Sequence, residues 1–280
     1  MGMHYSMLRF FLTEREIPTL LHAMGVEKGH TRREYLKEIF SKDIRFLGRT
    51  VPYSYVYIGE TNSVILGRIG RIKAEVINDG PETGFADTTA DFWHAANFLI
   101  DIDGSSDGQK IAFENSNDVG APISIMQYLV DYINNKNIDA KWHIDVNTIT
   151  ETKEFWSVVE AYKGRLTELD LTYVAPNIFG GTDETTKALK KLNEKNNVQT
   201  TTVKLKNNEG ALNPDSEDIH EGIDYIAKGR GKVKMKAGKD TIYDSEEKAV
   251  HKEVSKENQF SILEEAKTKW ANLIKDIFNK

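Results

Sequence analysis

The amino-acid sequence predicts a mixed fold, α+β in its first half and α/β in its second: two sheet-containing parts covered by helices, closed by a C-terminal amphipathic helix. Three observations lead there. Residues 1–140 intersperse β-rich runs with helical stretches in irregular order, whereas from residue 141 strand and helix patterns alternate, as in a sheet covered by helices. Residues 260–280 repeat apolar side chains at intervals of three and four: Ile262, Leu263, Ala266, Trp270, Leu273, Ile274 and Ile277. A mixed α+β domain over 1–140 and an alternating αβ domain over 141–280 follow. Since no Gly/Pro/Ser-rich linker marks the boundary, the two are expected to share an interface.

The first half opens with an aromatic-rich strand over 3–12. A helix over 31–40 follows, capped by Thr31 and apolar at Tyr35, Leu36, Ile39 and Phe40. Residues 44–59 and 63–77 are β-rich and flank the turn-like "ETN", which suggests a hairpin. "TTADFWHAANFLIDI" reads as helical, 109–115 as extended, and 121–137 as a helix with Ile123, Met126, Leu129, Val130 and Ile133 near one stripe. In the second half, "KWHIDVNTI", "ELDLTYVAP", "TTTVKLK" and "GKVKMKA" read as strands, and "TKEFWSVVEAY", "DETTKALKKLNEK" and "SEDIHEGIDYIAKG" as helices. The terminal helix is expected to bury its apolar face against its own sheet.

Composition narrows the function classes. There is no cysteine, which excludes disulfides, thiolate zinc sites and cysteine nucleophiles and is compatible with a reducing cytoplasm. Apolar runs are too short to cross a bilayer, so direct membrane insertion is not expected. Gly2 and Ser6 match a myristoylation pattern so loosely that chance explains them. With no charged leader before a long apolar core, a cytoplasmic location is expected.

Catalytic motifs are sparse. Neither "GRIGRIK" (67–73) nor "KGRGKVK" (228–234) fits a phosphate-cradling loop. Gly229 and Gly231 read as helix termination and entry to a strand. Gly180 and Gly181 precede a helix start, but Asp183 and Glu184 would repel an anion, so an N-cap by Thr182 or Asp183 is the plainer reading. His143, Asp145 and Asn147 share a strand face, as half-exposed polar residues commonly do. His94, beside Trp93 in the expected apolar helix, reads as packed, and His220, near Glu221 and Asp224, as solvated. Asp145 followed by Glu151 and Lys153 formally matches the acid…Glu-x-Lys set of magnesium-dependent nucleases, but Glu151 and Lys153 fall at a helix start. No catalytic residue, metal ligand or cofactor is assigned.

The stronger signal is basic charge. Residues 228–239 hold Lys228, Arg230, Lys232, Lys234, Lys236 and Lys239 and no acid, in a chain of net charge −6. On a strand, Arg230, Lys232, Lys234 and Lys236 project from one face and Val233, Met235 and Ala237 from the other. Lys204 and Lys206 repeat the two-residue spacing on the preceding strand, and Arg68, Arg71 and Lys73 form a third group. Lysines also protect strand edges from aggregation. Three such groups together would repel unless a polyphosphate offset the charge and released its counterions. Contact of that kind is to backbone phosphate and does not read sequence.

The length, the αβαβ second half, the "GRGKVKMKAG" strand and the terminal helix resemble the RexA-like phage-exclusion family of abortive-infection proteins. The resemblance implies a homodimer that binds double-stranded DNA without regard to sequence, acting in anti-phage defence with, in some cases, a second defence-system protein. Two other readings stay open: a metal-dependent nuclease or other toxic effector enzyme, and an interaction module whose basic strand meets an acidic protein.

Overall fold

The second strand of the larger sheet, β1 (Met3–Glu14), is buried along almost its whole length because both its faces are covered. A computed structural model of the chain describes residues 2–15, 31–103, 109–174, 187, 191, 195–196, 198–255 and 263–279. Within these, α1 (Arg32–Phe40), β2 (Ile44–Leu47), β3 (Pro52–Thr61), β4 (Val64–Asn78), β5 (Asp87–Asp101), β6 (Lys110–Glu114), α2 (Pro122–Lys136) and β7 (Trp142–Thr148) follow β1. Next come α3 (Thr152–Ala161), β8 (Glu168–Val174), β9 (Thr200–Lys206), α4 (Glu217–Tyr225), β10 (Gly231–Ala237), β11 (Asp240–Asp244), β12 (His251–Val254) and α5 (Leu263–Phe278). The fold is therefore mixed α/β, in two sheets.

The first sheet runs β12-β1-β6-β5-β4-β3-β2, with β7 also on β1. β12 pairs with residues 3–6 of β1 and β7 with residues 8–14, end to end along one edge. Side chains on one face of this sheet, among them Leu8, Phe10, Ile69, Phe98 and Phe113, pack with Tyr35, Leu36 and Phe40 of α1 and with Met126, Leu129 and Ile133 of α2. Alternate residues on the other face, Tyr5, Met7, Leu66 and Leu99, meet Trp270, Leu273, Ile274 and Ile277 of α5. The terminal helix thus docks within its own chain, but on the sheet begun at residue 3 and not on the strands of the second half.

Several local signals act as read. Thr31 caps α1 in a reciprocal box: its hydroxyl accepts from Glu34 N–H at 3.3 Å, and the Glu34 carboxylate accepts from Thr31 N–H at 2.8 Å. β3 and β4 form the expected hairpin, turning through Asn62 and Ser63 at positive φ. The helix read into "TTADFWHAANFLIDI" is instead β5, paired with β4 over fifteen consecutive residues. Its inner half, Ala96 to Asp101, is buried on both faces and so lacks the alternation that marks a half-buried strand.

Beyond Gly70 and Ala95 the outer halves of β4 and β5 pair only with each other, as a projecting ribbon. One of its faces carries exposed Ile72, Val76 and Trp93, and Phe85 is exposed at its tip.

The second sheet, β11-β10-β8-β9, is antiparallel throughout. Leu169, Leu171, Tyr173, Val233, Met235 and Tyr243 face Phe155 of α3 and Ile219, Ile223 and Tyr225 of α4. α4 ends in a wide turn, residues 226–230, in which Gly229 takes the left-handed conformation (φ 76°). A Cβ there would come within 2.9 Å of Arg9 Cβ, so glycine both ends the helix and permits close approach to β1. Gly180–Gly181, the cap expected at Thr182 or Asp183, and most of the helix expected over 183–195 lie outside the described residues.

Candidate functional site

Strand register decides which of the predicted cations meet. Across β9, β8, β10 and β11, paired residues form two rows on the face opposite the core: Lys206, Glu168, Lys236 and Thr241, then Lys204, Asp170, Lys234 and Asp244. A third row joins Thr202, Thr172 and Lys232, and the two threonine hydroxyls lie 3.1 Å apart. Five of the predicted lysines, 204, 206, 232, 234 and 236, therefore share one face, interleaved with carboxylates.

The interleaving is close enough to pair them. Glu168 Oε1 accepts from Lys236 Nζ at 2.7 Å and from Lys204 Nζ at 3.2 Å, and Lys204 also reaches Asp170 at 3.1 Å. Lys234 lies 2.7 Å from Asp244, and Lys232 lies 3.6 Å from Glu246. The bonds from Lys236 and Lys204 hold the Glu168 carboxyl down at about 2. Asp244 and Asp170 in turn raise the pKa values of Lys234 and Lys204. Part-buried pairs of this kind remove most of the free positive charge a polyanion would meet. Lys206, Lys228 and Lys239 stay exposed, while Arg230 lies over the Tyr225 ring at 5.4 Å.

The third predicted group is divided by its sheet. Arg68 projects toward the α5 side, where its charge lies near the Glu114 carboxylate. Arg71 and Lys73 project from the other side onto the turn at 116–120 between β6 and α2: Arg71 Nε donates to the Asp118 carbonyl at 2.7 Å and Lys73 Nζ to the Asp118 carboxylate. These residues belong to the first sheet and the lysine rows to the second.

Around Asp118 stand two residues that sequence reasoning did not bring together. His94, read as packed in a helix, lies on β5 with Nε2 at 2.8 Å from Glu75 Oε1 and Nδ1 at 3.7 Å from Asp118 Oδ2. Glu75, His94 and Asp118 can each offer one ligand atom within 4.8 Å of the others, and all three are half-buried. Positions 75, 94 and 118 carry no mutual spacing signal; the β4–β5 register and the turn assemble them. The formal nuclease match fares differently: Asp145 faces His143 at 3.7 Å on β7, whereas Glu151 caps α3 with its side chain exposed. His220, read as solvated, stacks on Trp156 at 3.9 Å between ring centroids and contacts Asp215 at 2.9 Å.

A cleft of about 710 Å³ opens where the two sheets meet, lined by Ser6, Asn115, Gln127, Asp244, Glu246, Glu247 and His251 among others. Ser6 Oγ donates to Asn115 Oδ1 at 2.6 Å and lies 3.3 Å from His251 Nδ1, its cross-strand partner. Glu246 accepts from Gln127 Nε2 at 2.7 Å, which ties the end of the charged face to α2. Three carboxylates make the cleft a poor receptor for phosphate.

Among the described residues no helix is long and apolar enough to cross a membrane. No curated protein and no solved structure matches the chain. Residues 70–272, well over half of it, match the family described as Domain of unknown function (DUF4747).

Proposed function

The chain belongs to the DUF4747 family, and for this member we propose a nucleic-acid-binding role in bacterial anti-phage defence, exerted in the cytoplasm on the backbone of double-stranded DNA. The observation that supports this reading is the register that gathers Lys204, Lys206, Lys232, Lys234 and Lys236 on one open sheet face. The defence setting, and a homodimer that would double that face, come from the resemblance to the RexA-like family.

The four carboxylates on and beside this face set the terms of binding. Each phosphate must replace a carboxylate at a lysine, so affinity is modest, insensitive to sequence and steeply dependent on salt. The test is anisotropy of a labelled duplex in EDTA across 50 to 200 mM salt. Changing Lys232 and Lys234 to Gln should weaken binding and lower the salt slope by about one for each phosphate no longer neutralised. Glu168→Gln, by freeing Lys204 and Lys236, should strengthen it. Affinity indifferent to all three changes removes this face from DNA binding.

A second reading, a metal-dependent nuclease, is favoured by the convergence of Glu75, His94 and Asp118. Plasmid incubated with the protein and Mn²⁺ separates the two: cleavage lost in Glu75→Gln establishes the enzyme, and intact plasmid removes it.

A further inference from the structure

We propose that Glu75, His94 and Asp118 form a binding site for a single first-row divalent cation of the Mn²⁺ or Zn²⁺ class, with Lys73 as its built-in competitor. The site stands whether or not the lysine face binds nucleic acid.

Two independent observations carry it. One is the convergence of an imidazole and two carboxylates from three separate segments, with ligand atoms within 4.8 Å of one another. The other is the relation of His94 to Glu75. Nε2 and Oε1 stand 2.8 Å apart, yet Nε2 is buried and makes no hydrogen bond. A ring nitrogen so close to a carboxylate would ordinarily aim an N–H at it. Two donors side by side without that bond have about the spacing of adjacent ligands, which metal–ligand bonds of 2.0–2.1 Å put about 2.9 Å apart at right angles and about 3.4 Å apart in a tetrahedron.

The surroundings are arranged to hold these groups. The turn that presents Asp118 closes on itself through Gly120 N–H to Ser116 O at 2.9 Å. Arg71 Nε fixes the Asp118 carbonyl, and Tyr53 Oη donates to the Val119 carbonyl at 3.1 Å. Outer contacts of this sort orient ligands and sustain affinity. Lys73 Nζ donates to the Asp118 carboxylate. It thereby sets a fixed positive charge against one of the ligands, where a bound cation would have to compete with it.

One nitrogen and two oxygens suit first-row ions better than Ca²⁺ or Mg²⁺, which prefer all-oxygen sets. Three protein ligands leave coordination positions for water or a phosphate oxygen.

The experiment titrates MnCl₂ into the metal-stripped full chain, following free Mn²⁺ by electron paramagnetic resonance, and ZnCl₂ by calorimetry, without nucleic acid. One ion should bind per chain. His94→Ala and Glu75→Gln should each weaken binding at least tenfold, and Lys73→Gln should tighten it severalfold by removing the competing charge. Failure of the wild-type chain to bind either ion, or affinities unchanged in both ligand variants, overturns the proposal. Circular dichroism verifies each fold; if both ligand variants are unfolded, Lys73→Gln decides alone, and affinity unchanged or lowered there overturns the proposal.

Discussion

At Glu168 one carboxylate oxygen receives two ammonium groups, from Lys236 on one neighbouring strand and Lys204 on the other. The clamp has a pH signature with a definite sign. Because the folded carboxyl is held at about 2, below its unfolded value, the stability it contributes is complete above the unfolded value of about 4.5 and is lost as pH falls toward 2. A carboxyl-carbon NMR titration should place the Glu168 midpoint near 2, and in Lys236→Gln it should move up. A midpoint in the ordinary glutamate range would mean that the clamp does not persist in solution. The lysines were legible as a row because alternation on β10 is strict, with Val233 and Met235 buried between Lys232, Lys234 and Lys236. The carboxylates that pair them were not, because Glu168 and Asp170 are distant in sequence and meet them only through register.

The β4–β5 ribbon shows how an element can escape a sequence reading. Ala90, Ala95, Ala96 and Leu99 in its second strand suit a helix, but continuous pairing with β4 overrides that preference. The same length explains why the Glu75–His94–Asp118 cluster was invisible: a fifteen-residue register, not a local motif, carries two of its three members together. No core residue lies between Gly70 and Ala96, so the ribbon is dispensable for packing. Replacing residues 75–90 by Asn-Gly, a two-residue hairpin loop joining Ala74 to Asp91, should therefore leave stability within about 0.5 kcal/mol of the parent in urea denaturation, while abolishing the proposed cation site. A loss of several kcal/mol would show that the ribbon is braced by the body of the protein. With two basic and five acidic residues over 71–95, net −3, it is also a poor candidate for a DNA-groove arm.

At the scale of the molecule, the second sheet is an insertion. The chain leaves the first sheet after β7 and returns to it at β12, and the two ends of the excursion meet at one point on β1. Met7 N–H donates to Val250 O at 2.8 Å, Ile149 N–H to Met7 O at 3.0 Å, and Val250 N–H to Ile149 O at 2.7 Å. Periodicity showed most elements of both halves, β5, β11 and β12 excepted, but no linear reading could show that β12 and α5 complete a sheet begun at residue 3. The seam between the sheets is buried and polar: Thr148 Oγ1 donates to Ser245 O at 2.7 Å, and Ser245 Oγ accepts from Val233 N–H at 2.9 Å. Ser245→Ala leaves that N–H unsatisfied and should cost about 1–3 kcal/mol. Intrinsic fluorescence in urea would measure it, with an unchanged midpoint showing that water reaches the seam.

The pairing of Met3 with Val254 also has a temporal side. During synthesis β1 can pair with β6 and β7 early, but its first residues wait for a partner strand made roughly 250 residues later, and contacts of such long range slow folding. Until α5 follows, the face of Tyr5 and Met7 that it covers stays open, and that apolar surface is the part of the nascent chain most exposed to aggregation.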